Sequence, residues 1–313
     1  MAIKYVAIDS GKFATKAVTL KPDRTEKLLV FRTKMEETNR ASAQGTSFLV
    51  EYEGKKYILG EQAEVGSSKS SKAELLHKVA VYTALARLVE SGDEVVAAVG
   101  CPLQVFENAE TKEQYKRYLF PKGQIDIKVN GTTKHFTVKN TLVLAESSGI
   151  IYLEEARYAD RMVGVVDIGG LNINCCVYNK GVPVLSSLFT DDLGSNVLVS
   201  GLRKKLSMKY GEDLPLFQME EILGDGFLRD NMSPTGEFEG SRELIRTYKR
   251  EHVQKIIRQL QENGWNLRTM ELVFVGGASE LLRKEITERF PAAKLYEDAA
   301  LLNVRGFLKA LTE

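Results

Sequence analysis

The chain has 313 residues, of which 43% are hydrophobic and 27% charged, and its formal net charge is +1 at pH 7. That length is long for a single core, so two domains are expected. The near-neutral balance excludes a global field for nucleic acid, so any DNA contact is local or made through a partner.

Residues 3–9, 13–20 and 26–31 read as strands with turns at Ser10-Gly11 and Pro22-Asp23. Residues 36–46 read as an exposed loop, and a hairpin turning at Glu53-Gly54 follows. The stretch 66–72 is rich in Ser and Lys and reads as a solvated connection. Residues 73–90 place Leu75, Leu76, Val79, Tyr82, Leu85, Ala86 and Val89 at helical spacing. A buried-type strand over 94–99 ends in Gly100-Cys101-Pro102, and 107–118 is a polar amphipathic helix. Asn130-Gly131 is a two-residue hairpin turn flanked by 125–129 and 135–138. Val143-Leu144-Ala145-Glu146 then leaves a strand and enters a helix through Ser147 and Ser148.

The second half opens with a Val/Ile strand over 163–168 and continues with strands over 172–178 and 182–189, turning near Lys180-Gly181. Gly194-Ser195-Asn196 opens a helix to about Met208. Residues 209–241 are less regular. Residues 242–263 form a long helix in which Arg and Lys alternate with Glu and Gln, the pattern of a solvated face. A strand over 271–275 ends in Gly276-Gly277, and helices near 279–289 and 299–311 finish the chain. Each half runs strands first and helices after, an α/β duplication with domains at 1–150 plus 301–313 and at 151–300.

Cys101, Cys175 and Cys176 are the only cysteines. They make no disulfide framework, read as apolar filler, and suit a reducing cytosol. Lys4 interrupts the apolar start and Asp9 ends it, so no signal peptide is read there. No stretch approaches the roughly 20 apolar residues of a membrane helix. A soluble, cytoplasmic protein is the expectation. The three histidines are isolated, and neither a GxxxxGK[ST] nor a GxGxxG loop occurs.

One acidic-glycine turn occurs twice. Val6-Ala7-Ile8-Asp9-Ser10-Gly11-Lys12 is echoed by Val165-Val166-Asp167-Ile168-Gly169-Gly170. In each, an apolar run ends in Asp, one residue intervenes, Gly follows, and a second apolar run begins. Two related β-hairpins are written this way. Glycine is expected to let the backbone turn with positive φ and to bring main-chain N–H groups close to an anion. The N–H groups at 10–12 and 168–170 would supply donors for phosphate oxygens, and Lys12 adds a point charge for a β- or γ-phosphate. Asp9 and Asp167 at the tips can hold Mg²⁺ through its waters. Two facing halves that hold one Mg-nucleotide between them are the reading. Lys16 is expected to be an exposed or edge-strand lysine. Glu146, Gly194-Ser195 and Gly276-Gly277 each have a plain local reading: charge at a helix N-terminus, an N-cap, and a tight strand–helix turn.

Five stations thus stand in fixed order: Asp9-Ser-Gly-Lys12, Glu146, Asp167-Ile-Gly-Gly170, Val275-Gly276-Gly277-Ala278-Ser279, and Asn303-Val-Arg-Gly306. That order resembles the actin-like ATPase superfamily, and Leu144-Ala-Glu-Ser-Ser-Gly149 is most similar to the ParM-type plasmid-segregation actins. The resemblance implies an α/β actin-like, ribonuclease-H-like duplicated fold with two domains and a nucleotide cleft between them. It implies phosphate loops at Asp9, Ser10, Gly11 and Lys12 and at Asp167, Gly169, Gly170 and Asn172. Asn172 lies beside Leu171, where the family usually has Thr, and an Asn can still donate to a phosphate. It implies an adenosine loop at Gly276, Gly277 and Ala278, a helix start near the nucleotide at Gly194 and Ser195, and Glu146 polarising the attacking water.

The cofactors implied are ATP, with GTP as the alternative, and Mg²⁺. The function implied is an ATPase whose head-to-tail filaments segregate plasmid DNA held by a DNA-binding adaptor, with no direct nucleic-acid contact and no membrane. Two other functions fit the same superfold: a small-molecule kinase for a sugar or acid, and a membrane-linked bacterial actin homologue for cell shape or division.

Overall fold

The computed structural model describes residues 3–67 and 71–313. Residues 68–70 of the Ser- and Lys-rich connection, with Met1 and Ala2, lie outside the described residues. The chain divides into two compact units, Met1–Ala159 with Leu301–Glu313, and Asp160–Ala300.

In the first unit the strands β1 (Ile3–Ser10), β2 (Ala14–Leu20), β3 (Glu26–Arg32), β4 (Met35–Glu37), β5 (Phe48–Tyr52) and β6 (Lys55–Leu59) precede helix α1 (Leu75–Leu88). Then come β7 (Glu94–Cys101), α2 (Leu103–Glu107), α3 (Ala109–Leu119), β8 (Gln124–Val129), β9 (Thr132–Ala145), α4 (Gly149–Leu153) and α5 (Glu155–Tyr158). The second unit holds β10 (Met162–Ile168), β11 (Ile173–Asn179), β12 (Val182–Pro183), β13 (Phe189–Asp191), α6 (Ser195–Tyr210), α7 (Met219–Asp225), α8 (Ser241–Glu262), β14 (Glu271–Val275), α9 (Gly277–Leu281), α10 (Arg283–Arg289) and β15 (Lys294–Leu295). The chain returns to the first unit as α11 (Leu302–Thr312).

The nine strands of the first unit pair in the order β3-β2-β1-β7-β9-β8-β5-β6-β4. Helix α1 is buried on nearly every side, with Val79, Ala80, Ala84 and Leu85 fully covered, so most of its residues are apolar. Asn130 and Gly131 both take positive φ, as the two-residue β8–β9 turn requires, and the Asn130 side chain also accepts from the Leu49 amide of β5. The expected strand at 135–138 and the strand entering Glu146 are one element, β9. Residues 132–137 of it pair with β8 and residues 137–145 with β7, across a register shift between Val95 and Val96. Helix α11 lies against β1 and crosses α4 at two glycines. A Cβ on Gly306 would sit 2.0 Å from the Gly149 carbonyl oxygen, so only hydrogen fits there.

In the second unit the order is β12-β11-β10-β14-β15, with β13 also on β11. The same kernel therefore appears in both units. β1 is antiparallel to β2 and parallel to β7; β10 is antiparallel to β11 and parallel to β14. The acidic-glycine turns are the β1–β2 and β10–β11 connections.

Two further expectations change. Residues 182–189 are not one strand: the Ser187 hydroxyl accepts from the Val177 amide and donates to the Val184 carbonyl, replacing ladder bonds by side-chain bonds. The irregular stretch 209–241 carries α7 and its own small core, where Leu214, Met219, Ile222, Leu223 and Leu228 pack on Leu202 and Leu206 of α6 and Ile245 of α8. Among the described residues no helix is long and apolar enough to cross a membrane.

Candidate functional site

In the first unit, β1 delivers Asp9 and Ser10 to the end of the sheet, both buried. The positive φ expected at the turn glycines is absent from Gly11, Gly169 and Gly170; glycine at the first turn is explained instead by close approach, since a Cβ on Gly11 would meet the Ala14 carbonyl at 2.8 Å. The Ser10 hydroxyl turns inward, 2.9 Å from Nδ1 of His77 on α1 and 3.4 Å from the Thr15 hydroxyl, which itself meets Thr33 at 2.9 Å. Lys12 is half-buried, and its ammonium donates to the Ser71 carbonyl. Burial first, then repulsion from Lys72, lowers the Lys12 pKa.

Glu146 follows β9, and its amide donates to the Cys101 carbonyl at the end of β7. The next residue, Ser147, is fully buried with φ of 77°, a left-handed conformation that non-glycine residues rarely hold. This kink ends the strand and sends the chain into α4. The structure brings Glu146 and Asp9 to one point, and Lys72 sits there with them. Lys72 Nζ contacts Glu146 Oε1 directly and lies 3.8 Å from Asp9 Oδ1, while Lys16 Nζ lies 3.6 Å from Asp9 Oδ2. Burial pulls the Lys72 pKa down, but Glu146 and then Asp9 outweigh it, and the net shift is upward.

Lys72 is the residue that sequence reasoning missed. It closes a Ser- and Lys-rich connection read as solvated, and local composition carries no sign of the carboxylates that bury it. Lys16, expected on an exposed or edge strand, belongs to β2, which lies inside the sheet between β1 and β3. His77 was legible only as a polar residue inside an apolar helix.

In the second unit, β10 presents Asp167 in the place that β1 gives Asp9, and it too is buried. The Gly169 amide donates to the Asn172 carbonyl and closes the turn. The start of α6 packs onto this turn. The amides of Ser195 and Asn196 donate to the carbonyls of Gly169 and Gly170, and the Gly194 amide to that of Leu171. A Cβ on Gly194 would sit 2.4 Å from the Leu171 carbonyl carbon, so glycine is what permits the approach. Gly194 and Ser195 thus brace the turn. His252 of α8 donates Nε2–H to the Leu193 carbonyl and fixes the same segment from behind.

Gly276 ends β14 beside the acidic turn. Its φ is 83°, and a Cβ there would lie 2.3 Å from Asp167 Oδ1 and 2.5 Å from the Ile168 carbonyl oxygen. Its missing side chain is therefore what lets the Asp167 carboxylate take its place. Gly277 and Ala278 begin α9, where Ser279 donates to the Gly276 carbonyl. All the candidate residues of the second unit gather within this one assembly.

Among the described residues no group of three or more His, Cys, Asp or Glu side chains gathers as a metal cluster. Each unit offers one buried carboxylate at a glycine turn. Such hard oxygen donors fit Mg²⁺, which keeps several waters and takes few protein ligands.

Residues 7–149 match the family model described as the actin like proteins N terminal domain. Among curated proteins none matches the chain in sequence. Several solved structures match along its whole length. The Alp12 filament structure is 26% identical, covers 99% of this chain and 98% of its own, and has a TM-score of 0.75. The ADP complex of Ta0583, an archaeal actin homologue, is 19% identical, covers 99% of both chains, and has a TM-score of 0.77. A 15-stranded ParM filament from Clostridium botulinum is 17% identical, covers 99% of both, and has a TM-score of 0.79.

Proposed function

We propose that this chain, an actin-like protein near the ParM and Alp filament formers, is a nucleotide-dependent polymerising ATPase. The observation that carries the reading is the doubled kernel. β1 with Asp9 and β10 with Asp167 present a buried carboxylate beside a glycine turn in equivalent places of the two sheets.

Ser10, Gly11 and Lys12 on one unit, and Asp167, Gly169, Gly170 and Asn172 on the other, would receive the phosphates of ATP. Gly276, Gly277 and Ala278 would take the adenosine. Asp9 and Asp167 would hold Mg²⁺ through its waters, and the metal supplies charge neutralisation at the transferring phosphoryl group. Glu146 would hold the attacking water and accept its proton. The Ser147 kink fixes the Glu146 backbone for that task.

A nucleotide that engages both loops favours the conformation in which both are in reach. Subunits in that conformation would associate head to tail, an open contact that grows into a filament. Hydrolysis removes the terminal phosphate contacts and loosens the assembly. Plasmid DNA, held by a separate DNA-binding adaptor, would be the cargo. The net charge of +1 suits a protein that meets DNA indirectly.

Sedimentation and electron microscopy of the protein with Mg-ATP, with Mg-ADP and without nucleotide test the reading. Pelleted filaments with Mg-ATP alone are expected. A protein that stays in the supernatant throughout, yet passes phosphate to a sugar or acid, would make it a kinase.

A further inference from the structure

The Lys72 side chain is 2% exposed, yet it ends in an ammonium. A buried cation persists only where carboxylates compensate its lost hydration. Here two do. Nζ contacts Glu146 Oε1 and lies 3.8 Å from Asp9 Oδ1, and both carboxylates are themselves largely covered. Asp9 has a second ammonium, Lys16, at 3.6 Å on its other oxygen. The half-buried Lys12 also faces Lys72 and Glu146, so the charge of the two carboxylates is offset by three surrounding ammonium groups. Among the described residues, Lys72 ion-pairs with both carboxylates.

We propose that Lys72 is a tethered cation, occupying between Asp9 and Glu146 the place a free divalent ion would otherwise take. Carboxylates already offset by ammonium groups have little Coulombic reason to recruit a bare divalent cation from solution. The metal then enters only as the nucleotide complex, whose phosphates bring the charge that the protein has already cancelled on its own side. Lys72 is a positioning residue in this role: it holds the Asp9 and Glu146 carboxylates together at one point before any ligand arrives. The inference rests on the proposed function for its use of Asp9 and Glu146, but its test needs no nucleotide.

The test is Mn²⁺ binding to the nucleotide-free protein, read by electron paramagnetic resonance of the free ion. Wild type is expected to bind Mn²⁺ only weakly and without saturation. Lys72→Gln removes the ammonium between the two buried carboxylates, and its Mn²⁺ affinity is expected to rise by about tenfold or more. Lys72→Gln/Glu146→Gln should lose that gain, and Lys72→Arg should behave as wild type. Equal affinity in wild type and Lys72→Gln overturns the proposal, as does a gain that survives in the double variant.

Where Lys72→Gln folds poorly, urea unfolding with and without Mn²⁺ replaces the titration. Recovery of a cooperative transition with Mn²⁺ supports the tethered cation, and no recovery overturns it. Binding of a fluorescent ATP analogue to wild type separately tests the proposed function, so the two failures are distinguishable.

Discussion

Ser10 Oγ lies 2.9 Å from His77 Nδ1, and both side chains are buried inside the first unit. The contact joins the first acidic turn to the central helix α1. Through Thr15 and Thr33 it extends as a run of hydroxyl groups behind β1 and β2. Burial, with the ammonium groups of Lys72 and then Lys12, pushes His77 from 6.5 to about 3.

A stability slope follows. Between these two values the unfolded chain binds a proton that the folded chain refuses, so the His77 contribution is fully present above pH 6.5 and is lost as pH falls toward about 3. Urea unfolding of wild type and His77→Gln across mildly acidic pH checks this. The wild-type slope should be steeper by about 1.4 kcal/mol per pH unit at most, the linkage limit for one group. Parallel curves would remove His77 as the cause.

The α4–α11 crossing predicts a sharp contrast between two glycines. Gly306→Ala places a methyl 2.0 Å from the Gly149 carbonyl oxygen and should cost about 3 kcal/mol or more, because backbone on both sides must move. Gly224, inside α7, has nothing within 4 Å of an added Cβ. Gly224→Ala should therefore be neutral or stabilising by about 0.5–1 kcal/mol through helix propensity. Thermal unfolding of the two variants distinguishes them.

The cysteines predict a chemical silence. All three are buried, and burial raises Cys101 to about 12 and holds Cys175 well above the ordinary thiol range. Thiolate is the reactive form, so a disulfide reagent should label none of them in the native protein and all three in denaturant. Rapid labelling of native protein would mean that a unit opens readily.

Much of this was legible in local sequence, and the exceptions share a cause. The two acidic-glycine turns, Asn130-Gly131 and the apolar spacing of α1 are short-range signals, and each stands where its residues place it. Strand 182–189 failed because Ser187, by bonding Val177 and Val184, supplies a side-chain alternative that periodicity does not encode. The apparent break within β9 reflects a change of neighbour, since β8 pairs with it up to Thr137 and β7 from Thr137 onward. Lys72 was invisible because a lysine is buried only by partners distant in sequence, here Asp9 and Glu146. The stretch 209–241 looked irregular because its apolar residues serve a small core shared with α6 and α8 rather than one long amphipathic face.

The most direct measurement follows light scattering and phosphate release together after Mg-ATP is added to wild type and to Glu146→Ala. The wild type should scatter, release phosphate and then decay, while Glu146→Ala should reach a lasting plateau with little phosphate. No scattering from either protein at any concentration, with a fluorescent ATP analogue still bound, would contradict the polymerising ATPase.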